Sequence, residues 1–425
     1  MKNLFYSLLL IIQIFPQQDY RPDPEIIETG GFYNSEVHFF PSGNEFSVYY
    51  SYKISYAQLF FEKKDDEFIA GMNVSIDIKD SAENVIKRIF DDREITADDF
   101  ETTNSKHIYL QGLLTAKLPE GNYKLFTVIS DRMSKRERKI PPIDLTISKS
   151  EIILSPIVFN PGMIKCNNLQ AHVLSNNSSS VPFNFPQNDL VIPVADSSIK
   201  SITFSVKQAN EVIIENQKVT ESFTASPEMQ YCDDKVIITQ SSNNPGVKIF
   251  LLRKFSAKLS EGPIELEIIP DDDLQKKKSF MLAVIWIGKP FTLREPEKAI
   301  KYIEIVEDKD AVSDILSHSG DDINNLYDYW QKQDPTPETK FNELMNEFYL
   351  RIDYCELNFR TISGDGGAKS DRGKMYIKFG PPDTIERDTN SENKVIETWI
   401  YKAAKRKFVF VDKDGTGKFP LANGQ

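Results

Sequence analysis

Along the first two thirds of the chain, apolar residues recur at every second position in short runs that Gly, Pro, Asn and Asp interrupt. Such spacing predicts strands with one face on a core and the other in water. Val74, Ile76 and Ile78, set against Ser75, Asp77 and Lys79, show it most plainly. Strands are expected at 36–40, 45–54, 57–62, 72–79 and 113–118, then at 152–159, 189–194, 202–206, 211–215, 235–239 and 248–255, with a polar loop at 176–180. Closely spaced strands with little helical period predict antiparallel sandwiches. The run Leu118-Pro119-Glu120-Gly121, followed by Tyr123, Leu125 and Val128, returns as Leu259-Ser260-Glu261-Gly262, followed by Ile264, Leu266 and Ile268. Each copy reads as a Glu-Gly turn, a strand, a charged tip (132–139; 271–278) and a further strand (140–147; 280–287). Two immunoglobulin-like β-sandwich domains are therefore expected at 19–149 and 150–290. The basic residues of the tips read as solvated turn positions.

Beyond 290 the period changes from two to between three and four. A linker is expected at 291–320, followed by a short helix at 322–333 that carries Leu326, Tyr329 and Trp330. Thr336, Pro337 and Glu338 form a helix-start signal. Phe341, Leu344, Phe348, Ile352, Cys355 and Phe359 then mark one buried stripe on a helix of about 24 residues, with Glu343, Asn346, Glu347, Arg351 and Glu356 on its polar face. Gly364-Asp365-Gly366-Gly367 predicts a loop, 374–379 a strand, and Gly380-Pro381-Pro382-Asp383 a rigid turn. Further strands are expected at 395–401, 407–411 and 418–421, with a hairpin turn at 412–415. The segment 321–425 thus reads as an α+β domain with one long helix and a small antiparallel sheet.

The first 18 residues add a location. A short cationic start and the apolar run 4–15 match the core of an export signal, with cleavage expected near Gln18. The run is too short to span a bilayer, and so is the next one, 281–287, which reads as a buried strand. No transmembrane span is expected in the mature chain. The formal charge of -12 opposes a phosphate backbone, so nucleic acid is not an expected partner. Cys166, Cys232 and Cys355 all lie far from the signal, which excludes lipid attachment to an amino-terminal cysteine. Export permits a Cys166–Cys232 bridge, and two separate small buried residues are the alternative. Cys355, on the apolar stripe, reads as a core residue.

The motifs Tyr329-Trp330-Gln331-Lys332-Gln333-Asp334-Pro335-Thr336-Pro337, Asn342-Glu343, Glu347-Phe348-Tyr349, Asp371-Arg372-Gly373, Tyr376-Ile377 and Gly380-Pro381-Pro382-Asp383 follow one another in order. Together they resemble the GWxTD domain, over roughly 320–425. That resemblance implies an exported bacterial envelope protein of unestablished biochemical role, with β-rich regions ahead of the signature domain. At the eponymous motif, Gly367-Ala368-Lys369-Ser370-Asp371 keeps the glycine and the aspartate, replaces Thr by Ser, and lacks the tryptophan.

Physically, these residues suit architecture. Asp371 is expected to accept backbone N–H bonds, Arg372 to pair with Asp383 or Glu386, and Trp330 and Trp399 to pack against helix and sheet. Gly367, Ser370, Gly373, Gly380, Pro381 and Pro382 shape the loops. The alternative is a groove of Asp371, Arg372 and Asp383 with aromatic walls that takes a peptide or glycan.

Catalysis has little to draw on. His38, His107, His172 and His318 all precede the signature domain, and neither a C-x-x-C nor a phosphate-cradling glycine loop is present. Asp371 with Asp383, or Glu397 with Asp412, are the carboxylate pairs a glycosidase would need. Asp412-Lys413-Asp414-Gly415 starts like a calcium loop, but Asn423 stands where the loop requires glutamate. No cofactor or metal is expected. The expectation is a non-catalytic envelope binding or scaffolding protein whose C-terminal domain docks a protein partner; the alternative is a glycan-binding or carbohydrate-active protein.

Overall fold

The computed structural model describes residues 33–105, 108–166, 169–175, 180–184, 188–240, 246–286, 288–361 and 366–424. The export segment 1–18, His107 and most of the polar loop 176–180 lie outside them. Two compact units divide the chain: a β-rich unit, Pro22–Gly288 with Thr339–Phe341, and a second unit that includes Lys289–Glu338 and Asn342–Gln425.

Four sheets build the β-rich unit, with three, six, seven and five strands. Their pairings are antiparallel except for Ser180–Pro182, which runs parallel to Ala283, Val284 and Ile285. Alternation decides the first core. Phe46, Val48, Tyr50, Tyr52 and Ile54 of the strand Glu45–Ser55 point toward Val74, Ile76 and Ile78 of Glu67–Lys79 and toward Leu125 and Ile129 of Gly121–Asp131. The repeated Glu-Gly turns open Gly121–Asp131 and Gly262–Pro270, as the repeat predicts.

The three-stranded sheet of Asn34–Ser42, Glu45–Ser55 and Tyr109–Leu118 buries residues on both faces, with Thr115 and Lys117 left exposed at one edge. Phe40 and Tyr49 point away from the first core and pack on Leu154, Ile157, Leu174, Val191, Val247 and Ile249, most of them on strands of the seven-stranded sheet. This second seam joins the two repeats into one packed body.

Two other differences from the sequence reading are local. Residues 57–62 hold a 3-10 turn, Tyr56–Gln58, ahead of a short strand, Glu62–Lys64, in place of one strand. The long strand Val85–Ala97 was not expected; it pairs with Glu67–Lys79 and leaves Val85, Ile86 and Phe90 exposed among its charged residues.

Cys166 and Cys232 are bridged. Each ends one strand of a hairpin, Ile157–Cys166 with Leu169–Leu174 and Pro227–Cys232 with Lys235–Gln240. The bridge ties the two hairpin tips together over Ala171 and Ile237.

His38 is almost wholly buried beside the second seam, and neither ring nitrogen has a hydrogen-bond partner. Burial lowers its pKa from 6.5 to about 4, which the nearby Pro156 backbone opposes only in part; the Glu36 carboxylate stands 3.9 Å from Nε2. The folded state therefore binds the proton more weakly than the unfolded state. Stability is unaffected above pH 6.5 and falls as the pH drops from there toward 4, by about 2 kcal/mol at pH 5. Thermal unfolding of wild type and His38→Leu across pH 7 to 4.5 should show the wild type losing more; parallel curves would refute this account.

In the second unit, the stretch expected to be a linker is helical: a 3-10 turn Phe291–Arg294, then helices Pro296–Tyr302 and Lys309–Ser317, then Asp322–Gln331. These pieces are too short to show a period, but Asp308 and Asp321 cap two of them by accepting from Ala311 and Asn324 N–H. The long helix is Glu343–Asn358, 16 residues capped by Asn342, and does not start at Pro337. Thr336 is engaged elsewhere: its N–H donates to Asp334 and its hydroxyl to Glu343. Leu344, Phe348, Ile352 and Cys355 form the buried stripe as expected.

The strand expected at 374–379 is a helix, Asp371–Phe379, capped by Ser370. Four antiparallel strands follow: Thr384–Thr389, Val395–Tyr401, Arg406–Val411 and Leu421–Gly424. The first was not expected, and the last lies three residues beyond its expected start at 418. Among the described residues no helix is long and apolar enough to cross a membrane.

Candidate functional site

The signature loop is built by close backbone approach. Gly367 opens a 3-10 turn, Gly367–Lys369, which lies against the end of the long helix. A Cβ on Gly367 would collide with the Cys355 carbonyl, and one on Gly373 with the Gly367 carbonyl. Ser370 then switches the chain into helix: its Oγ accepts from Gly373 N–H at 3.0 Å and donates to the Gly367 carbonyl at 2.7 Å. A hydroxyl is all this cap requires, so Ser in place of Thr keeps it. Ala368 is fully buried, and its N–H donates to Glu356, which also accepts from Tyr302. Gly373→Ala should lower stability by about 1–3 kcal/mol through overpacking, and an unchanged urea midpoint would show that the loop relaxes freely.

Arg372 is nine-tenths buried on the helix that follows. Its Nη1 donates to Glu397 at 3.2 Å and its Nη2 to the Gly417 carbonyl at 3.0 Å; Nε has no partner. The guanidinium stands over the ring of Phe359, at 5.0 Å, and over that of Phe419, at 4.1 Å. Glu397 is almost wholly buried because 397, 399 and 401 share the inward face of their strand. It also accepts from Arg387 Nε at 2.9 Å and from Trp399 Nε1 at 3.3 Å. The pairing expected with Asp383 or Glu386 is thus made with Glu397.

The other predicted residues take separate partners. Asp371 accepts the Leu421 N–H at 2.9 Å, and Asp383 accepts the Lys402 N–H at 2.6 Å. Trp330 is fully buried against Phe348 and Tyr349, and Trp399 against Phe359 and Phe410, so neither ring offers a face to a ligand. Gly380 ends the helix Asp371–Phe379 at φ +78°, a conformation that glycine accepts without strain. Its N–H donates to Tyr376, and its carbonyl accepts from Tyr401. Pro381 and Pro382 carry the chain from there into the turn before Thr384.

Sequence reasoning missed two members of the site. Arg351 was placed on a polar face but is buried, donating to Glu347 at 2.6 Å and to the Ile377 carbonyl at 2.9 Å. Phe419 had no pattern to mark it. The Cys355 thiol is buried, which pushes its pKa up and away from nucleophilic use.

Residues 270–420 match the family model of the GWxTD domain. Those residues therefore carry a GWxTD domain. The match begins earlier than the signature run, so it includes the last strand of the five-stranded sheet, Lys278–Ile285. No curated protein matches the sequence. Similar solved structures include the C-terminal domain of the Streptococcus pyogenes antigen I/II-family protein AspA, at 8% identity over 60% of this chain and 100% of that one, with a TM-score of 0.18. Another is the C-terminal domain of the Streptococcus agalactiae AgI/II polypeptide BspA, at 10% identity over 61% and 99%, with a TM-score of 0.15. At those scores neither likeness bears on fold or function.

Proposed function

We propose that this protein is exported and acts in the cell envelope as a non-catalytic binding or scaffolding protein, with two immunoglobulin-like sandwiches and a C-terminal domain that docks a protein partner. One observation carries the reading. The charged residues of the signature are spent on backbone groups and on each other: Asp371 on Leu421, Arg372 on Glu397 and Gly417, Asp383 on Lys402. A carboxylate or guanidinium already held in this way is organised to fix loops. The Cys166–Cys232 bridge suits an oxidising compartment and so supports export. The glycan reading required Asp371, Arg372 and Asp383 to gather beside open aromatic faces, and no geometry favours it. In-cell cross-linking of the full chain, followed by mass spectrometry, should place partner links on residues 289–425. Links confined to residues 33–288, or recovery of the chain with soluble cytoplasmic proteins alone, would overturn the proposal.

A further inference from the structure

The segment that follows the strand Arg406–Val411 lies across the buried Arg372–Glu397 pair as a strap. Asp412 anchors its start by accepting from Thr416 and Gly417 N–H. Gly417 then gives its carbonyl to Arg372, Phe419 lays its ring on the guanidinium, and Leu421 gives its N–H to Asp371. Three alternate positions, 417, 419 and 421, thus supply an acceptor, an aromatic ring and a donor to the same pair of side chains, Asp371 and Arg372. The strap ends by pairing Leu421–Gly424 with Arg406–Val411 across a register shift.

What holds the strap is almost wholly polar. Lys413, Asp414, Gly415 and Thr416 are exposed, Phe419 and Pro420 half-buried, and Leu421 is 37% exposed. Segments with so few buried apolar contacts open at low cost. Gly415 and Gly417, at φ +66° and +79° with open space around them, can serve as hinges. What the strap covers differs in kind: a buried ion pair, the edge of Arg406–Val411, and an Arg372 Nε that the strap leaves without an acceptor. The cover fits incompletely.

We infer that the strap is an internal stand-in, and that the C-terminal domain docks its partner by exchanging residues 416–424 for an extended segment of the partner protein. That segment adds a strand to the freed edge. It presents a carbonyl, an aromatic side chain two residues on and an N–H four residues on, and a further acceptor for Arg372 Nε. This inference rests on the docking reading above and specifies its mode.

Hydrogen exchange on the full chain tests the opening directly. The Leu421 amide and its strap neighbours should exchange at least 10-fold faster than the amides of Val395–Tyr401; equal rates would overturn the inference. A chain lacking residues 416–425 should bind a fluorescent peptide of that sequence in trans. Phe419→Ala in the peptide, or Arg372→Lys in the chain, should each weaken binding at least 10-fold. No binding by a truncated chain that keeps its native tryptophan emission would also overturn the inference, as would binding of an envelope polysaccharide in place of the peptide. Should the truncated chain fail to fold, the exchange rates decide alone. Cross-links to a partner on residues 289–425 that persist unchanged in an Arg372→Lys chain would leave docking standing and remove strand exchange.

Discussion

Glu397→Ala is expected to destabilise the C-terminal unit by about 3–5 kcal/mol, since it leaves the buried Arg372 guanidinium without its counter-charge. Glu397 also accepts from Arg387 and Trp399, so the substitution strands a ring N–H in the same place. Arg387→Ala is the control: that side chain is 72% exposed, and its loss should cost less than about 1 kcal/mol. Urea unfolding followed by tryptophan emission reads both, because Trp330 and Trp399 are buried in this unit. Arg372→Met combined with Glu397→Leu should recover much of the loss, as buried ion pairs replaced by apolar side chains of similar volume often do. A Glu397→Ala chain within 1 kcal/mol of wild type would show that the pair contributes little.

Loss of the Cys166–Cys232 bridge is the second large effect. It joins residues separated by 66 positions, and closing a loop of that length removes about 4 kcal/mol of unfolded-state entropy. Cys232→Ser, or treatment with a thiol reductant, should therefore lower the stability of the β-rich unit by several kcal/mol. Thiol titration offers a simpler readout. Denatured but unreduced protein should yield one reactive thiol, Cys355, and native protein none at neutral pH, because Cys355 is buried. Three thiols after denaturation would refute the bridge.

Much of the fold was legible because period-two alternation reports directly on burial, as Val74, Ile76 and Ile78 show with no exposed surface among them. The reading failed where a side chain answers to something other than its own strand or helix. Thr336 and Pro337 look like a helix start, but Asp334 and Glu343 hold Thr336 in a turn. Met375, Ile377 and Phe379 alternate like a strand, yet the Ser370 cap and the close packing of Gly373 commit the segment to helix. Tyr49 is buried by residues of the other repeat, a contact that its own strand's pattern does not report. Within the site, the loop-forming glycines and the importance of Arg372 were readable. Its partner was not, because Glu397 lies on a strand distant in sequence and only its inward parity, shared with Trp399, hinted at burial.

The sheet of Asn34–Ser42, Glu45–Ser55 and Tyr109–Leu118 packs side chains into a core on each side. Flexing one repeat against the other would tear dry contacts on two faces at once, an elastic cost that a chain of separately hinged modules does not meet.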